Sequence, residues 1–187
     1  MKLHFTTGDV DTALDIMREA AQWQIDQGTQ LWLMDTLTRK MINNPADEFH
    51  VAWLEQNRDS TQRSDFCMPL HAQSSAPPQA AACCLLSTHD PVFWPEIPAE
   101  TSGFLHKIAV RRKFAGQGVV ARLIAHAEQT CLARGIPMMR LDTDINRPKL
   151  RALYEGLGYV QVGTRTLALP ELNMESIEVA LFEKRLT

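Results

Sequence analysis

Three parts of this sequence combine residue types at spacings that could do chemistry: the run from His106 to Gly118, HKIAVRRKFAGQG; the aspartates Asp142 and Asp144; and Asn146 with Tyr154. Gly116 and Gly118 stand just before a helix-patterned run. Glycines there let the backbone curl so that the amides of about residues 115 to 119 converge, with no side chain to block a close approach. A helix N-terminus adds unpaired N–H groups and a partial positive charge. Arg111, Arg112 and Lys113 add charge beside it. The chemistry implied is anion binding, for a diphosphate in particular, although an ordinary strand-to-helix turn is the commoner outcome of a Gly-x-Gly alone. The dinucleotide fingerprint GxGxxG fails because Val119, Val120 and Ala121 follow the glycines, and no GxxxxGK[ST] pattern is present.

The elements that must position these residues read as one α/β domain over 1–187. KLHFTT (2–7) is a strand. A helix follows, with Val10, Leu14, Met17, Ala20 or Ala21 and Ile25 on one stripe, closing at Gly28. Residues 31–42 suggest a second, shorter helix, and 49–56 a strand. Residues 57–79, rich in Ser, Gln and Pro, read as a long mobile loop. The apolar run 80–88 fits a strand buried on both faces. A proline-punctuated loop (90–100) leads to a strand at 103–110. There, strict alternation would put Phe104, His106, Ile108 and Val110 on one face and Leu105, Lys107 and Ala109 on the other. A helix after Gly118 carries Val120, Leu123 or Ile124, Ala127 and Cys131 on its apolar stripe and ends near Gly135. A strand (137–144), a short helix (147–158) and a hairpin (159–169 with 176–186) close the chain.

Composition narrows the class. The 187 residues are 45% hydrophobic and 22% charged, with a net charge of −3, which argues against a nucleic-acid binder relying on a broad basic face. There is no signal-peptide pattern and no run of the roughly 18 to 20 apolar residues a membrane span needs. Cys67, Cys83, Cys84 and Cys131 form no CxxC pair; reduced thiols in a cytoplasmic protein without a metal site are the expectation.

Taken together, IAVRRKFAGQGVVARLI and N-x7-YEGLGY resemble the GCN5-related N-acetyltransferase superfamily, over roughly residues 103 to 163, about a third of the chain. The resemblance implies a single domain with a mixed, mostly antiparallel central sheet flanked by helices, in the order β-α-α-β-β-β-α-β-α-β-β. The family's phosphate-binding pattern falls on Lys113, Gly116 and Gly118; Lys replaces the usual Gln or Arg, keeping charge and amide but losing the planar fork. By resemblance, the segment Arg111, Arg112, Lys113, Phe114, Ala115, Gly116, Gln117, Gly118 and Val119 would hold the diphosphate of acetyl-coenzyme A. The backbone of Ile108 and Val110 would pair with its pantetheine arm, Asn146 would contact it, and Tyr154 would sit near its sulfur.

Attack on a thioester needs a neutral amine, and an alkylamine of pKa near 10.4 is only about 0.04% neutral at pH 7, equivalent to roughly 4.6 kcal/mol. Proton removal should therefore dominate the chemistry. Tyr154 is the general acid the resemblance implies. His106 matches a histidine that takes part in proton removal in the similar arylalkylamine N-acetyltransferases, and an ordinary pKa near 6.5 suits that role. A water chain, Asp142, Asp144, Glu96 and Glu100 are its competitors. Trp32, Asp35, Phe93, Trp94 and Glu96 are expected around the acceptor, where aromatics would pack a carbon skeleton and a carboxylate would hold a cationic head. The expected partner is a small-molecule amine, with no nucleic acid and no membrane; a homodimer stays open. So do a non-catalytic coenzyme A sensor and a protein or peptide acetyltransferase.

Overall fold

The computed structural model describes residues 2–29, 32–41, 47–55, 77–169 and 174–187. In chain order the strands and helices are β1 (Lys2–Thr7), α1 (Val10–Asp26), β2 (Glu48–Glu55), β3 (Gln79–Ser87), β4 (Gly103–Val110), α2 (Val119–Ala133), β5 (Met138–Asp144), α3 (Pro148–Gly156), β6 (Val160–Leu169) and β7 (Met174–Arg185). The strands form one sheet in the order β1-β2-β3-β4-β5-β7-β6. Every neighbouring pair is antiparallel except β4–β5, so the sheet is mixed and mostly antiparallel, as expected. The expected second helix is a correction: the described residues there form two short 3-10 turns, Met34–Thr36 and Arg39–Met41. Two consecutive Thr-containing steps, at Thr36 and Thr38, favour side-chain-to-backbone turns over a continuous helix, and the Thr36 hydroxyl does donate to the Leu33 carbonyl at 2.7 Å. Most of the expected loop at 57–79 lies outside the described residues; Gln79 already belongs to β3.

The two faces of the sheet carry separate cores. α1 begins at Asp9, whose carboxylate accepts the Thr12 amide at 3.1 Å, a cap that fixes where the helix starts. It buries Ala13, Ile16, Met17 and Ala21 against Phe49, Val51, Cys83, Leu85 and Ala109. Ile25, assigned to the same stripe by spacing, is 39% exposed, so the buried stripe stops at Ala21. On the opposite face α2 and α3 bury Leu123, Ile124, Ala127, Cys131 and Tyr154 against Ala82, Cys84, Leu86, Leu105 and Phe182. Adjacent Cys83 and Cys84 thus point into opposite cores, as strand alternation requires. Cys83, Cys84 and Cys131 are free and buried, and burial pushes the Cys83 thiol up to about 12 and Cys131 to about 11.

The alternation expected along β4 does not survive. Cys83 pairs with Ala109 and Leu85 with His106, so two steps on β3 match three on β4. The extra residue is taken up at Lys107, whose φ of 51° is left-handed. As a result Leu105, Ile108 and Val110 belong with the α2 core, while Ala109 belongs with the α1 core. His106 and Ile108 therefore no longer share a face. β4 and β5 pair only at Gly103–Met139, Phe104–Arg140 and Leu105–Leu141, and beyond these three pairs the strands part. That junction leaves no room: a Cβ on Gly103 would stand 2.4 Å from Cys131 Sγ and 3.1 Å from Met139 Sδ. Gly103→Ala should cost about 1–3 kcal/mol in denaturant unfolding, as overpacking does.

Away from the parting strands, His50 is completely buried, and neither ring nitrogen has a hydrogen bond. Burial, with His126 beside it (ring centroids 5.4 Å apart), lowers its pKa from 6.5 to about 4; Glu48 opposes the shift and Arg134 adds to it. The unfolded chain takes up a proton here near pH 6.5 and the folded one only near pH 4, so stability falls as the pH drops through that window. Urea unfolding at pH 7 and pH 4 should show about 3 kcal/mol of acid-induced loss in the native protein that is missing in His50→Leu.

Candidate active site

Where β4 and β5 part, a cavity of about 940 Å³ passes through the sheet. On the α2–α3 side it is lined by Ile108, Val110, Phe114, Gly116, Gly118, Val119, Leu150 and Tyr154. On the opposite side it is lined by Trp32, Val92, Phe93, His106, Asp142, Ile177 and Val179. The two halves differ in chemistry, and each follows from local structure.

On the first side, β4 leads into a 3-10 turn (Arg112–Phe114) and then into α2 by way of Gly116 and Gly118, whose φ values of 75° and 74° favour glycine. Nothing lies within 4 Å of the place a Cβ would occupy on either, so the backbone is open to the cavity. Gly118 caps α2 with no side-chain hydrogen bond, and the amides of Gly118 and Val119–Ala121 find no acceptor among the described residues. Bare amides at a helix N-terminus are an anion seat. The basic trio divides its work. Arg111 is held by Asp15 and Glu19 of α1 and by the Ala80 carbonyl at 3.0 Å, so its charge is already neutralised within the protein. Arg112 lies over the Trp23 ring at 4.2 Å and lines the cavity. Lys113 is exposed and donates to Gln79 Oε1 at 2.7 Å. Ala115 and Gln117 form the curl without lining the cavity, Gln117 donating back to the Lys113 carbonyl at 2.7 Å.

Tyr154 stands at the inner end of this half. Pro148 starts α3, and Tyr154 packs against Tyr159 and Phe182, with centroids 6.3 and 5.9 Å away. The residue is 5% exposed, yet its hydroxyl makes no hydrogen bond to the described residues and is open to the cavity. Burial, reinforced by the negative charge of Asp142, raises its pKa well above the ordinary phenol value. It is a phenol that keeps its proton. Asn146 is exposed outside the lining, its amide bonded to Asp144 Oδ1 at 2.9 Å.

The other half centres on His106. Its Nε2 lies 3.5 Å from Asp90 Oδ2 and its Nδ1 lies 3.7 Å from Asp142 Oδ1. Asp90 is 4% exposed; its Oδ1 accepts the amides of Val92 and Phe93 at 3.0 and 2.9 Å, which fixes the carboxylate at the start of the proline-punctuated loop. Burial lowers the His106 pKa, while Asp90 pulls it the other way. Burial, with Asp90 nearby, raises Asp142 to about 7. Lys107 also lines the cavity, and burial lowers its pKa against the pull of Asp142 and Asp47. One ligand-type atom each from Asp90, His106 and Asp142 lies within 4.8 Å of the others, a spacing that a single cation could bridge. The two imidazole nitrogens, however, face different carboxylates, each near enough to bias the ring's charge though neither is hydrogen-bonded to it.

Of the residues expected around the acceptor, Trp32 and Phe93 line the cavity, the latter with its ring 6.4 Å from His106. Trp94 is 3% exposed in a small core with Phe104, Val179 and Leu181. Asp35 is exposed and Glu96 pairs with Arg165 at 2.8 Å; neither lines the cavity. Sequence reasoning missed Asp90 and Lys107. The Asp-Pro step at 90–91, a turn signal, marks Asp90 only as a turn residue, and nothing in the sequence marks the bulge at Lys107.

Residues 17–159 match the model of the acetyltransferase (GNAT) family. The chain is 25% identical to the uncharacterized N-acetyltransferase YesJ of Bacillus subtilis (strain 168) over 184 residues, 96% of this chain and 86% of that one. Among solved structures it is similar to a candidate streptothricin acetyltransferase from Bacillus anthracis str. Ames in complex with acetyl coenzyme A, at 25% identity and a TM-score of 0.51. That match covers 78% of this chain and 65% of the other. It shares its fold with the ribosomal-protein-S18-alanine N-acetyltransferase of Escherichia coli, at a TM-score of 0.63 and 15% identity, over 100% and 95% of the two chains. Gly116→Asp should weaken coenzyme A binding by at least about tenfold in calorimetry, since it places a carboxylate among the bare amides. Folding should lose only about 1–2 kcal/mol from the left-handed backbone.

Proposed function

The chain belongs to the acetyltransferase (GNAT) family, and on that premise we propose that it transfers an acetyl group from acetyl-coenzyme A to the primary amine of a small molecule, by direct attack in a ternary complex. The observation that carries this reading is one continuous cavity through the sheet, with bare helix-start amides on one side, a His–Asp cluster on the other and the Tyr154 hydroxyl open to it between them. The bare amides from Gly118 to Ala121, with Arg112 and Lys113, hold the diphosphate of the donor. The backbone of Ile108 and Val110 borders the pantetheine arm where β4 lacks a partner on the β5 side. Asn146, at the exit of β5, contacts the donor from the rim.

His106 removes the proton that keeps the acceptor amine from attacking, and burial, by holding the imidazole neutral, leaves it ready to accept. Tyr154 protonates the leaving thiolate; its raised pKa means that it arrives protonated at any physiological pH. Val92, Phe93, Trp32, Ile177 and Val179 wall the acceptor half with apolar surface, which favours a compact organic amine over an extended peptide backbone with its many polar groups. Thiol release from acetyl-coenzyme A should be seen with small amines, and more weakly or not at all with peptides. Turnover confined to peptides, or donor binding without turnover on any acceptor, would replace this reading with a peptide acetyltransferase or a coenzyme A sensor. Tyr154→Phe should lower kcat about a hundredfold, the lower end of what a positioned acid contributes, while leaving donor affinity within about twofold in calorimetry.

A further inference from the structure

Asp142 bears on both halves of the cavity. Its Oδ1 lies 3.7 Å from His106 Nδ1, and it lines the same cavity as Tyr154, whose phenol its charge raises after burial has done so. It stands on β5 one residue past the last β4–β5 pair, where the strands have just separated. On the far side of the imidazole, Asp90 Oδ2 is buried, 3.5 Å from Nε2 and without a hydrogen bond, while its Oδ1 is pinned by two amides. Neither carboxylate is needed by the fold as an ion pair: no Lys or Arg lies within salt-bridge distance of Asp90 or Asp142 among the described residues.

We propose that Asp90, His106 and Asp142 form one proton-handling chain: Asp90 positions the imidazole that takes the acceptor's first proton, and Asp142 carries its second back to the Tyr154 oxygen. The proposal rests on the acetyl-transfer reading above and deepens it. The acceptor enters as an ammonium and gives one proton to His106. Its nitrogen then attacks the thioester carbonyl; the C–N bond forms, and the C–S bond breaks with its electron pair going to sulfur. Sulfur takes the Tyr154 proton. The second proton on the new amide nitrogen passes to Asp142 and from there to the tyrosinate, and the imidazolium releases its proton to solvent. Ammonium and acetyl thioester become amide, thiol and one free proton, and every side chain regains its starting state.

Burial disfavours the charged form of each partner, raising Asp142 to about 7, where a carboxylate can both take and give a proton near neutral pH, and lowering His106 so that the imidazole waits neutral. The other charged groups facing the pair are Lys107 from β4, which holds both down, and Asp47 ahead of β2, which raises His106.

The test follows kcat against pH for the native enzyme, Asp142→Asn, Asp142→Glu, Asp90→Asn and Asp142→Asn combined with Tyr154→Phe, using the best amine of the panel, with acetyl-coenzyme A affinity by calorimetry. Asp142→Asn should lower kcat about a hundredfold with donor affinity unchanged, and Asp142→Glu should restore most of it. The double variant should lose no more than about threefold beyond the worse single one, because both act on the same proton. Asp90→Asn keeps the acceptor for the Val92 and Phe93 amides but removes the charge. It should lower kcat and move the acid limb to lower pH, since Asp90 raises both His106 and Asp142. Losses that multiply in the double variant, or an acid limb unmoved in Asp90→Asn, would overturn the chain while leaving acetyl transfer intact. Donor binding with no turnover of any amine by the native protein would sink both.

Discussion

Three residue pairs hold β4 to β5, and the site exists because there are only three. Gly103–Met139, Phe104–Arg140 and Leu105–Leu141 close one end of the gap, and at that end Gly103 packs so tightly on Cys131 and Met139 that no side chain fits. Past Leu105, β4 follows β3 through a bulge at Lys107 while β5 stays paired to β7 as far as Asp144. Two strands with different partners cannot remain parallel neighbours, and the edge each turns toward the other is left without a ladder. A sheet normally separates its two faces; this one joins them through the opening.

The opening decides how charge is used. The chain carries a net −3, so the attraction needed by the diphosphate of the proposed donor must be local. Local supply differs from the count of basic residues. Arg111 is neutralised by Asp15 and Glu19, which ties β4 to α1 and leaves Arg112 and bare backbone amides at the cavity, with Lys113 exposed nearby. On the far side, burial acts in opposite directions on acids and bases. It lifts Asp142 and lowers His106, and it lifts the Tyr154 phenol as well. The same dry environment at His50, which has no hydrogen bond and only partial relief from Glu48, weakens the fold in acid.

Most of the elements could be read from the sequence because their signals are local. The 103–110 strand was bounded to the residue, and Gly118 marked the start of α2 through a conformation that only its own backbone demands. The short helix bearing Tyr154 was legible at 147–158, closed by glycine, and forms at Pro148–Gly156. Misreadings came where local pattern was overruled. Residues 31–42 carried an apolar stripe but broke into two 3-10 turns. Strict alternation placed His106 and Ile108 on one face, and the bulge separated them. Trp94, with the same composition signal as Trp32, went into a small core while Trp32 reached the cavity.

By itself, then, the sequence determined the family, the order of nearly all strands and helices, the glycine turn and the candidacy of His106 and Tyr154, because each is carried by residues within a few positions of one another. Tertiary structure alone decided which groups meet. Asp90, His106 and Asp142 lie on a loop and two strands up to 52 positions apart, and they come together because β3 feeds that loop back over the end of β4 while β5 runs alongside it. Whether a histidine is a core residue or a base depends on what faces its two nitrogens, and that is set by strand register. Register is a property of pairs of strands, which no single stretch of sequence contains.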